Sequence, residues 1–340
     1  MHPNGGIMTF RELYMNGSIE FDEIFDYTSK WNFSDDTRTL REYLGLTATE
    51  EDIWISDSDE ALEDFMEKEK KIKILFLDLD GTLLNDDKEI TSGNHEAIQK
   101  ALKQGHKIVI TTGRPLASAI VLSKELGLTQ DGCYAIAFNG AEIYDLYHKK
   151  TVFKETLPLP FVRYLLDAAH AQGLHCQTYS DTHILSEYDT PALHRYESLT
   201  NLTSRIVPDV MMELTTEPGK VIVIDYENHD KLVHFQESIS EWADGKVEHI
   251  FSCPQYLELV APGMSKGHAI EVLCGILGIP KCNTIAAGDA PNDISMLETA
   301  AIGVVMKNAA DDIKKYGDYI TQRDNNHDGI AEVIEKFLLY

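Results

Sequence analysis

Two aspartates stand two residues apart in segment 78–83 (DLDGTL), directly after the apolar run 74–77. A run this short and this apolar predicts a buried strand of a parallel sheet. Ligands bind at the carboxyl ends of such strands, so Asp78 and Asp80 could face one cation and one substrate. Gly81 would let the backbone turn sharply after them. For these six residues alone, an ordinary Asp-Gly turn remains the alternative.

Two further strand ends would bring polar groups to the same edge of the sheet. The apolar run 108–110 ends in residues 111–114 (TTGR), and the run 284–287 ends in residues 288–293 (GDAPND). Between them, Lys266 opens an amphipathic segment. A nucleophile, a set of oxygen ligands for a hard cation and positive groups around a phosphate are what phosphoryl transfer requires. The sequence therefore predicts phosphoryl-transfer chemistry.

Chemistry suggests a role for each group. Asp78 is the candidate nucleophile, which would form an aspartyl-phosphate. Asp80 would protonate the leaving alcohol and later take a proton from the attacking water. Simpler interpretations remain: Lys266 could be an exposed residue of a first helical turn, although its charge would oppose the helix dipole there. Thr112 and the pair 292–293 could cap helices.

The four motifs, in this order, resemble those of the haloacid dehalogenase superfamily, and within it the Cof-type phosphatases. The resemblance covers about residues 71–340. It implies an α/β fold: a Rossmannoid parallel-sheet core with an inserted α+β cap domain. It also implies a Mg²⁺ site made of the Asp78 and Asp289 carboxylates and the Asp80 backbone carbonyl, with Asp293 in support. The implied phosphate cradle consists of Thr112, the Gly113 amide, Lys266 and Asn292.

The spacing of the motifs predicts where the second domain is inserted. Asp78 and Thr112 are 34 positions apart, which leaves room for one helix, whereas 154 positions separate Thr112 from Lys266. A gap of that length is too long for a crossover connection. Alternating patterns within it predict a hairpin at its entrance (138–143 with 152–154), helices at 161–171 and 232–242, and strands at 175–179, 183–187, 220–225, 248–252 and 256–260.

The resulting domain prediction has four parts: an acidic helical module and linker (1–70), the first part of the core (71–157), the cap (158–258) and the second part of the core (259–340). In the resembled family, a cap at this position is of the C2B type, and such caps close over the core and select the substrate. Asn139, at a strand end near the cap entrance, is a further candidate for phosphate or substrate contact. Tyr188, His194 and Arg195 of the cap could line the site, but no pattern fixes their direction.

Composition restricts the class of protein and its partners. The chain has 340 residues, 43% of them hydrophobic, and no apolar run approaches the ~18 residues that span a membrane. A formal charge of −26 argues against nucleic acid or an anionic membrane as partner. Five scattered cysteines predict neither disulfides nor a zinc site, and no secretory signal is visible, so we expect a cytoplasmic protein.

Residues 1–70 carry no chemical motif. They hold 18 acidic against 6 basic residues and show helical spacing at 20–25, 39–44 and 57–71. Six large side chains could form a core of their own or dock on a protein partner: Phe10, Leu13, Tyr14, Trp31, Phe33 and Trp54.

Segment 324–329, followed by Glu335, fits the EF-hand pattern. Residues 319–321 before it look like a strand rather than an entering helix, so we predict a loop before the final helix instead. The leading functional prediction is a Mg²⁺-dependent phosphatase of small phosphomonoesters, acting on a sugar phosphate or a phosphorylated cofactor. The alternatives are a phosphomutase acting on a sugar phosphate and a regulatory protein that uses residues 1–70 for docking.

Overall fold

A computed structural model describes residues 8–180, 182–200 and 202–339. The chain divides into two compact units, Met1–Lys73 with Gly278–Asn283 and Ile74–Leu277 with Thr284–Tyr340. Within the described ranges, no helix is long and apolar enough to cross a membrane.

The first unit is helical. Three of its helices begin at a Thr-x-x-Glu capping box, in which the threonine hydroxyl and the glutamate carboxylate satisfy free backbone amides. Phe10 and Tyr14 are buried in its aromatic and aliphatic core, whereas Phe33, a predicted core candidate, is 91% exposed. The helices are α1 (Phe10–Met15), α2 (Glu23–Asn32), α3 (Leu40–Leu44), α4 (Ala48–Ser56) and α5 (Asp59–Lys71).

An ion pair is buried inside this first unit. The Arg11 guanidinium donates to Glu50 at 2.9 Å and to the Gly278 carbonyl at 2.8 Å. The Asn283 side chain donates to the carbonyls of Lys70 and Ile72. Segment 278–283 is thus held to the helices by buried polar contacts.

The second unit contains an eight-stranded sheet. Its strands lie in the order β14 (Tyr319–Ile320), β13 (Ile302–Val305), β12 (Thr284–Gly288), β1 (Ile74–Leu77), β2 (Lys107–Thr111), β3 (Cys133–Ala137), β4 (Glu142–Asp145) and β5 (Lys150–Lys154). The strands from β14 to β3 are parallel, and β4 and β5 extend the sheet as an antiparallel hairpin. The elements before the insertion are β1 (Ile74–Leu77), α6 (Ser92–Lys103), β2 (Lys107–Thr111), α7 (Leu116–Glu125), β3 (Cys133–Ala137), β4 (Glu142–Asp145) and β5 (Lys150–Lys154), with a 3₁₀ turn at Phe138–Gly140.

The cap is built on a second sheet of six strands, ordered β10-β11-β9-β6-β7-β8. Its last strand ends at Val260, two residues beyond the predicted boundary, because it pairs with β9 along its whole length. The elements of the cap are α8 (Leu159–Ala171), β6 (His175–Tyr179), β7 (Ile184–Ser186), α9 (Pro191–Thr200), β8 (Ser204–Ile206), α10 (Val210–Glu213), β9 (Lys220–Ile224), α11 (His229–Ala243), β10 (Glu248–Cys253) and β11 (Tyr256–Val260).

The chain then completes the core sheet. The remaining elements are α12 (Lys266–Leu277), β12 (Thr284–Gly288), α13 (Ile294–Thr299), β13 (Ile302–Val305), α14 (Asp311–Lys314), β14 (Tyr319–Ile320) and α15 (Gly329–Phe337), with 3₁₀ turns at Lys281–Asn283 and Pro291–Asp293. A strand, not a helix, precedes segment 324–329, as expected for a connecting loop rather than an EF-hand. The α/β class and the core-plus-cap architecture are confirmed. Within the cap, the predicted elements omitted α9, β8 and α10.

Candidate active site

The end of β1 lies beside the start of α12, and the two meet through a buried charge contact. The Lys266 ammonium donates at 2.5 Å to Asp78 and at 2.5 Å to Asp293. Lys266 and Asp293 are fully buried, and Asp78 is 6% exposed. Lys266 is therefore not the exposed first-turn residue of the simpler interpretation. At this helix start its ammonium is paired with two carboxylates, those of Asp78 and Asp293.

A third carboxylate, that of Asp289, lies beside the two that Lys266 contacts. Oxygen atoms of Asp78, Asp289 and Asp293 lie within 4.8 Å of one another. Burial and the neighbouring Asp293 raise the pKa of Asp289 to about 7, and the same two causes raise the pKa of Asp78 above its ordinary value. Burial alone would lower the pKa of Lys266, but Asp293 and Asp78 outweigh it and raise that pKa. The cluster thus holds more negative charge than Lys266 neutralises.

This arrangement fits a divalent cation. The donor atoms are carboxylate oxygens, which suit Mg²⁺, and an added cation would relieve the repulsion that raises the two aspartate pKa values. Thr82 donates to Asp289 at 2.7 Å and orients its carboxylate. Gly81 has a positive φ of 87°, and a Cβ there would collide with Asp289. The glycine therefore lets the β1 turn approach the predicted ligand closely.

Asp293 organises the loop that carries Asp289. One of its oxygens accepts from Lys266, and the other accepts from the backbone amides of Asp289 and Ala290, at 2.9 Å each. Asp293 thus fixes the position of the Asp289 backbone relative to Lys266. Direct metal binding by Asp293 stays a prediction.

The Asp80 carboxylate lies outside the acidic cluster. Arg114 binds it with two hydrogen bonds, of 2.9 and 2.7 Å, and Lys88 donates to it at 2.8 Å. Burial raises the pKa of Asp80, but these two cations outweigh burial and leave its pKa below the ordinary value. Of the two partners, Arg114 belongs to a recognised motif, whereas Lys88 stands in no motif and the sequence did not point to it.

The predicted phosphate-binding residues surround one strained turn. Phe138, Asn139 and Gly140 all have positive φ, between 52° and 110°, which is rare for a bulky residue such as Phe138. The turn is held by the Thr112 carbonyl, which accepts from the Asn139 amide, and by Asn292, whose side chain donates to Asn139 at 3.0 Å. The Asn139 Nδ2 is buried and has no hydrogen-bond partner among the described residues. It is close to Gly113, where it could donate to a bound phosphate.

A cavity of about 220 Å³ opens above these groups. Its floor includes Asp78, Asp80, Gly113 and Asn292, and the cap contributes a wall of mixed aromatic and polar character. The wall residues are Tyr196, Leu199, Thr200, Ser252, Cys253, Tyr256 and Glu258.

The cap residues named from the sequence do not line this cavity. Tyr188 packs against His170, His194 is exposed and contacts Asp189, and Arg195 lies over the ring of Tyr226. Helix periodicity explains the difference, because α9 directs residues 196, 199 and 200 to the cavity and turns their neighbours 194 and 195 away. The start signals of this helix were readable in the sequence: Pro191 at its first position, and Thr190, which accepts from the Leu193 amide.

Comparison with known proteins agrees with the site. Residues 75–334 match the model of a family described as haloacid dehalogenase-like hydrolases. This chain belongs to that family. The match excludes the first helical unit's N-terminal segment and includes every predicted site residue.

Three proteins similar to this haloacid dehalogenase-like hydrolase match it over nearly their whole lengths. A Streptococcus pyogenes protein that carries a phosphatase name is 34% identical over 269 residues, which are 79% of this chain and 99% of the relative. The Bacillus subtilis 5-amino-6-(5-phospho-D-ribitylamino)uracil phosphatase YcsE is 30% identical over 79% of this chain and 96% of its own. A crystal structure of a haloacid dehalogenase-like hydrolase from Bacteroides thetaiotaomicron superposes with a TM-score of 0.72 at 33% identity, covering 78% of this chain and 99% of that one. The prediction of a phosphatase of this superfamily is confirmed.

Proposed function

We propose that this enzyme hydrolyses small phosphomonoesters in a Mg²⁺-dependent reaction through an aspartyl-phosphate on Asp78. The observation that carries the proposal is the buried cluster in which Lys266 contacts Asp78 and Asp293, beside Asp289. Asp78 and Asp289, together with the Asp80 backbone carbonyl, would hold the cation. Bound there, Mg²⁺ would supply positive charge next to the phosphoryl oxygens and would keep the nearby carboxylates ionised.

In the first step, an oxygen of Asp78 attacks phosphorus while the bond to the leaving alcohol oxygen breaks. Lys266, Thr112, the Gly113 amide and Asn292 surround the transferring group and stabilise its negative charge. In the second step, water attacks the phosphorus of the aspartyl-phosphate. The Asp78 carboxylate is regenerated and inorganic phosphate leaves.

Asp80 moves the protons of both steps. It donates one to the departing alkoxide and takes one from the attacking water. Its contacts with Arg114 and Lys88 favour the ionised form, which suits the second step. For the first step, a phosphate dianion that enters the cavity competes for Lys88, while Arg114 stays on Asp80. The lost pairing with Lys88 and the added negative charge raise the pKa of Asp80 and let its carboxylate bind a proton.

The cap wall favours a leaving group that has both an apolar face and hydroxyl groups. Tyr196 and Tyr256 offer ring faces and hydroxyls, and Glu258 offers a carboxylate that can accept from a substrate hydroxyl. The relative YcsE is named for a substrate with a ribityl phosphate on a pyrimidine, which combines both characters. We propose a sugar phosphate, a sugar-alcohol phosphate or a phosphorylated cofactor precursor as the substrate class.

A panel of phosphate esters tests this proposal. Purified protein is incubated with sugar phosphates, phosphorylated cofactors and p-nitrophenyl phosphate, with and without Mg²⁺, and inorganic phosphate and isomerised sugar phosphate are both measured. The proposal predicts phosphate release from several esters only when Mg²⁺ is present. Isomerised sugar phosphate without phosphate release would instead support the phosphomutase alternative. A protein partner for residues 1–70 stays a prediction.

A further inference from the structure

A lysine of the cap reaches the phosphate-binding loop of the core. Lys220 is the first residue of β9 and is fully buried. Its ammonium donates at 2.6 Å to the Gly113 carbonyl and at 2.6 Å to the Glu258 carboxylate. The rings of Phe138 and Tyr179 lie 5.6 and 5.4 Å from it. No sequence motif includes Lys220, and the reaction described above does not use it.

The position is a costly one for a charge. Burying an ammonium is unfavourable by several kcal/mol unless it is paired and its protons are hydrogen-bonded. Burial lowers the pKa of Lys220, and Glu258 only partly restores it. An apolar side chain would fill the same space without this cost. The contact with the Gly113 carbonyl is what such a side chain could not provide.

That contact fixes a peptide plane at the centre of the site. The carbonyl of Gly113 and the amide of Arg114 belong to one peptide group. Lys220 holds the carbonyl, and the Thr112 hydroxyl accepts from the Arg114 amide at 3.1 Å. The orientation of this peptide sets the direction in which the Arg114 side chain leaves the backbone toward Asp80.

Gly113 needs an external support of this kind. A Cβ at this position would come within 3.0 Å of both Asn139 and Glu258, so the space admits only glycine without movement of those side chains. Glycine, however, restricts its own backbone less than any other residue. Lys220, which belongs to the cap, restricts the backbone conformation that Gly113 does not restrict by itself.

We propose that Lys220 is a positioning residue of the reaction: it holds the Gly113–Arg114 peptide so that Arg114 keeps Asp80 aligned with the leaving group. The inference rests on the proposed phosphatase function and adds to it a cap residue that acts on proton transfer. Lys220 itself does not line the cavity.

The test compares the double variant Lys220→Met/Glu258→Gln with the wild type. This variant removes both charges and leaves no buried ion without a partner. Because Glu258 also lines the cavity, Glu258→Gln alone, which keeps Lys220 on the Gly113 carbonyl, measures the loss that comes from the substrate contact of Glu258, and the effect of Lys220 is the loss beyond it. The measured quantity is kcat/KM, which reports the steps up to release of the alcohol, for p-nitrophenyl phosphate and for the best alkyl phosphate of the ester panel. The matched control is Arg11→Met/Glu50→Gln, which removes the buried ion pair of the first unit.

We expect kcat/KM for the alkyl phosphate to fall about 10- to 100-fold in the Lys220 variant, because losses of this size follow when a supporting contact of an active site is removed. The loss for p-nitrophenyl phosphate should be at least about fivefold smaller, since nitrophenolate departs without a proton. The control should keep kcat/KM for both esters within about twofold of the wild type, even where its urea midpoint falls as much as that of the Lys220 variant.

Two results would overturn the inference. One is a folded Lys220 variant with wild-type kcat/KM for both esters, and the other is an equal loss for both esters. If the double variant does not fold, Lys220→Gln takes its place. Its shorter amide can contact Glu258 but leaves the Gly113 carbonyl without its donor. The same two results would then overturn the inference. Absence of activity in the wild type would contradict the proposed function instead, which keeps the two failures distinct.

Discussion

Replacing Asp80 with asparagine should separate the two steps of the reaction. The amide keeps the size of the side chain and can still accept from Arg114, but it can neither donate a carboxylic proton nor serve as a base. Transfer to Asp78 should therefore become slow for alkyl phosphates, whose leaving alkoxide needs a proton. With p-nitrophenyl phosphate the first step should suffer less, and hydrolysis of the aspartyl-phosphate should become limiting.

The structure lets the catalytic and structural costs be compared. The Asp80 side chain is 40% exposed, and its pairs with Arg114 and Lys88 are open to solvent on one side, so their loss should cost at most about 1 kcal/mol of unfolding free energy. Removal of general acid–base catalysis costs about 10²- to 10⁴-fold in rate, or roughly 3–5 kcal/mol of activation free energy. The catalytic effect should therefore far exceed the structural one.

The assay is stopped-flow release of p-nitrophenol, together with kcat/KM for an alkyl phosphate. Asp80→Asn should show a burst equal to the enzyme concentration, followed by slow turnover, and a loss of about 10²- to 10⁴-fold with the alkyl ester. Asp87→Asn is the matched control, because it makes the same chemical change at an exposed position of the same loop. If hydrolysis of both esters slows equally and no burst is seen, Asp80 is a structural residue and its acid–base role is refuted.

Three further predictions follow from the buried groups. Lys266→Met should lower the free energy of unfolding by about 3–5 kcal/mol, because two buried carboxylates lose their shared partner, and a urea midpoint near that of the wild type would contradict the buried pairing. Chelation with EDTA should abolish activity and added Mg²⁺ should restore it, whereas full activity in exhaustively chelated protein would exclude the metal site. Burial lowers the pKa of His175, so the unfolded chain binds a proton that the folded chain does not, and stability present above about pH 6.5 should be lost as the pH falls. Urea unfolding at pH 7.5 and 5.5 should show a smaller loss in His175→Gln than in the wild type, and identical losses would contradict this assignment.

Local pattern was enough to predict much of the core and its acidic residues. Each predicted site residue follows a strand or opens a helix, so strand ends at one sheet edge place Asp78, Thr112 and Asp289 together. The pairing of Lys266 with Asp78 spans 188 positions and was not predicted, because the resemblance implied a place for Lys266 only in the phosphate cradle. Where a residue's position depends only on the element that carries it, the order of the motifs was enough to predict that position.

The rest of the site depends on contacts that no local pattern encodes. Lys220 looks like an ordinary polar residue at a strand start, and its contact with Gly113 spans 107 positions. Lys88 lies in a charged, exposed loop, and no local pattern distinguishes it from the other exposed lysines of the chain. The cap wall could not be assigned for a different reason: without α9, residues 194 and 195 could not be distinguished from residues 196, 199 and 200, which helix periodicity places on the cavity side.

The central claim, that Asp78 carries the phosphoryl group, is tested most directly by trapping the intermediate. Wild-type enzyme is mixed with ³²P-labelled substrate and quenched with acid within milliseconds, and the labelled protein is reduced with borohydride, which converts an aspartyl-phosphate to homoserine. We expect up to one label per active site, homoserine at position 78 in the peptide mass spectrum, and neither label nor turnover in Asp78→Asn. Label on another residue, or near-normal kcat in Asp78→Asn, would contradict it.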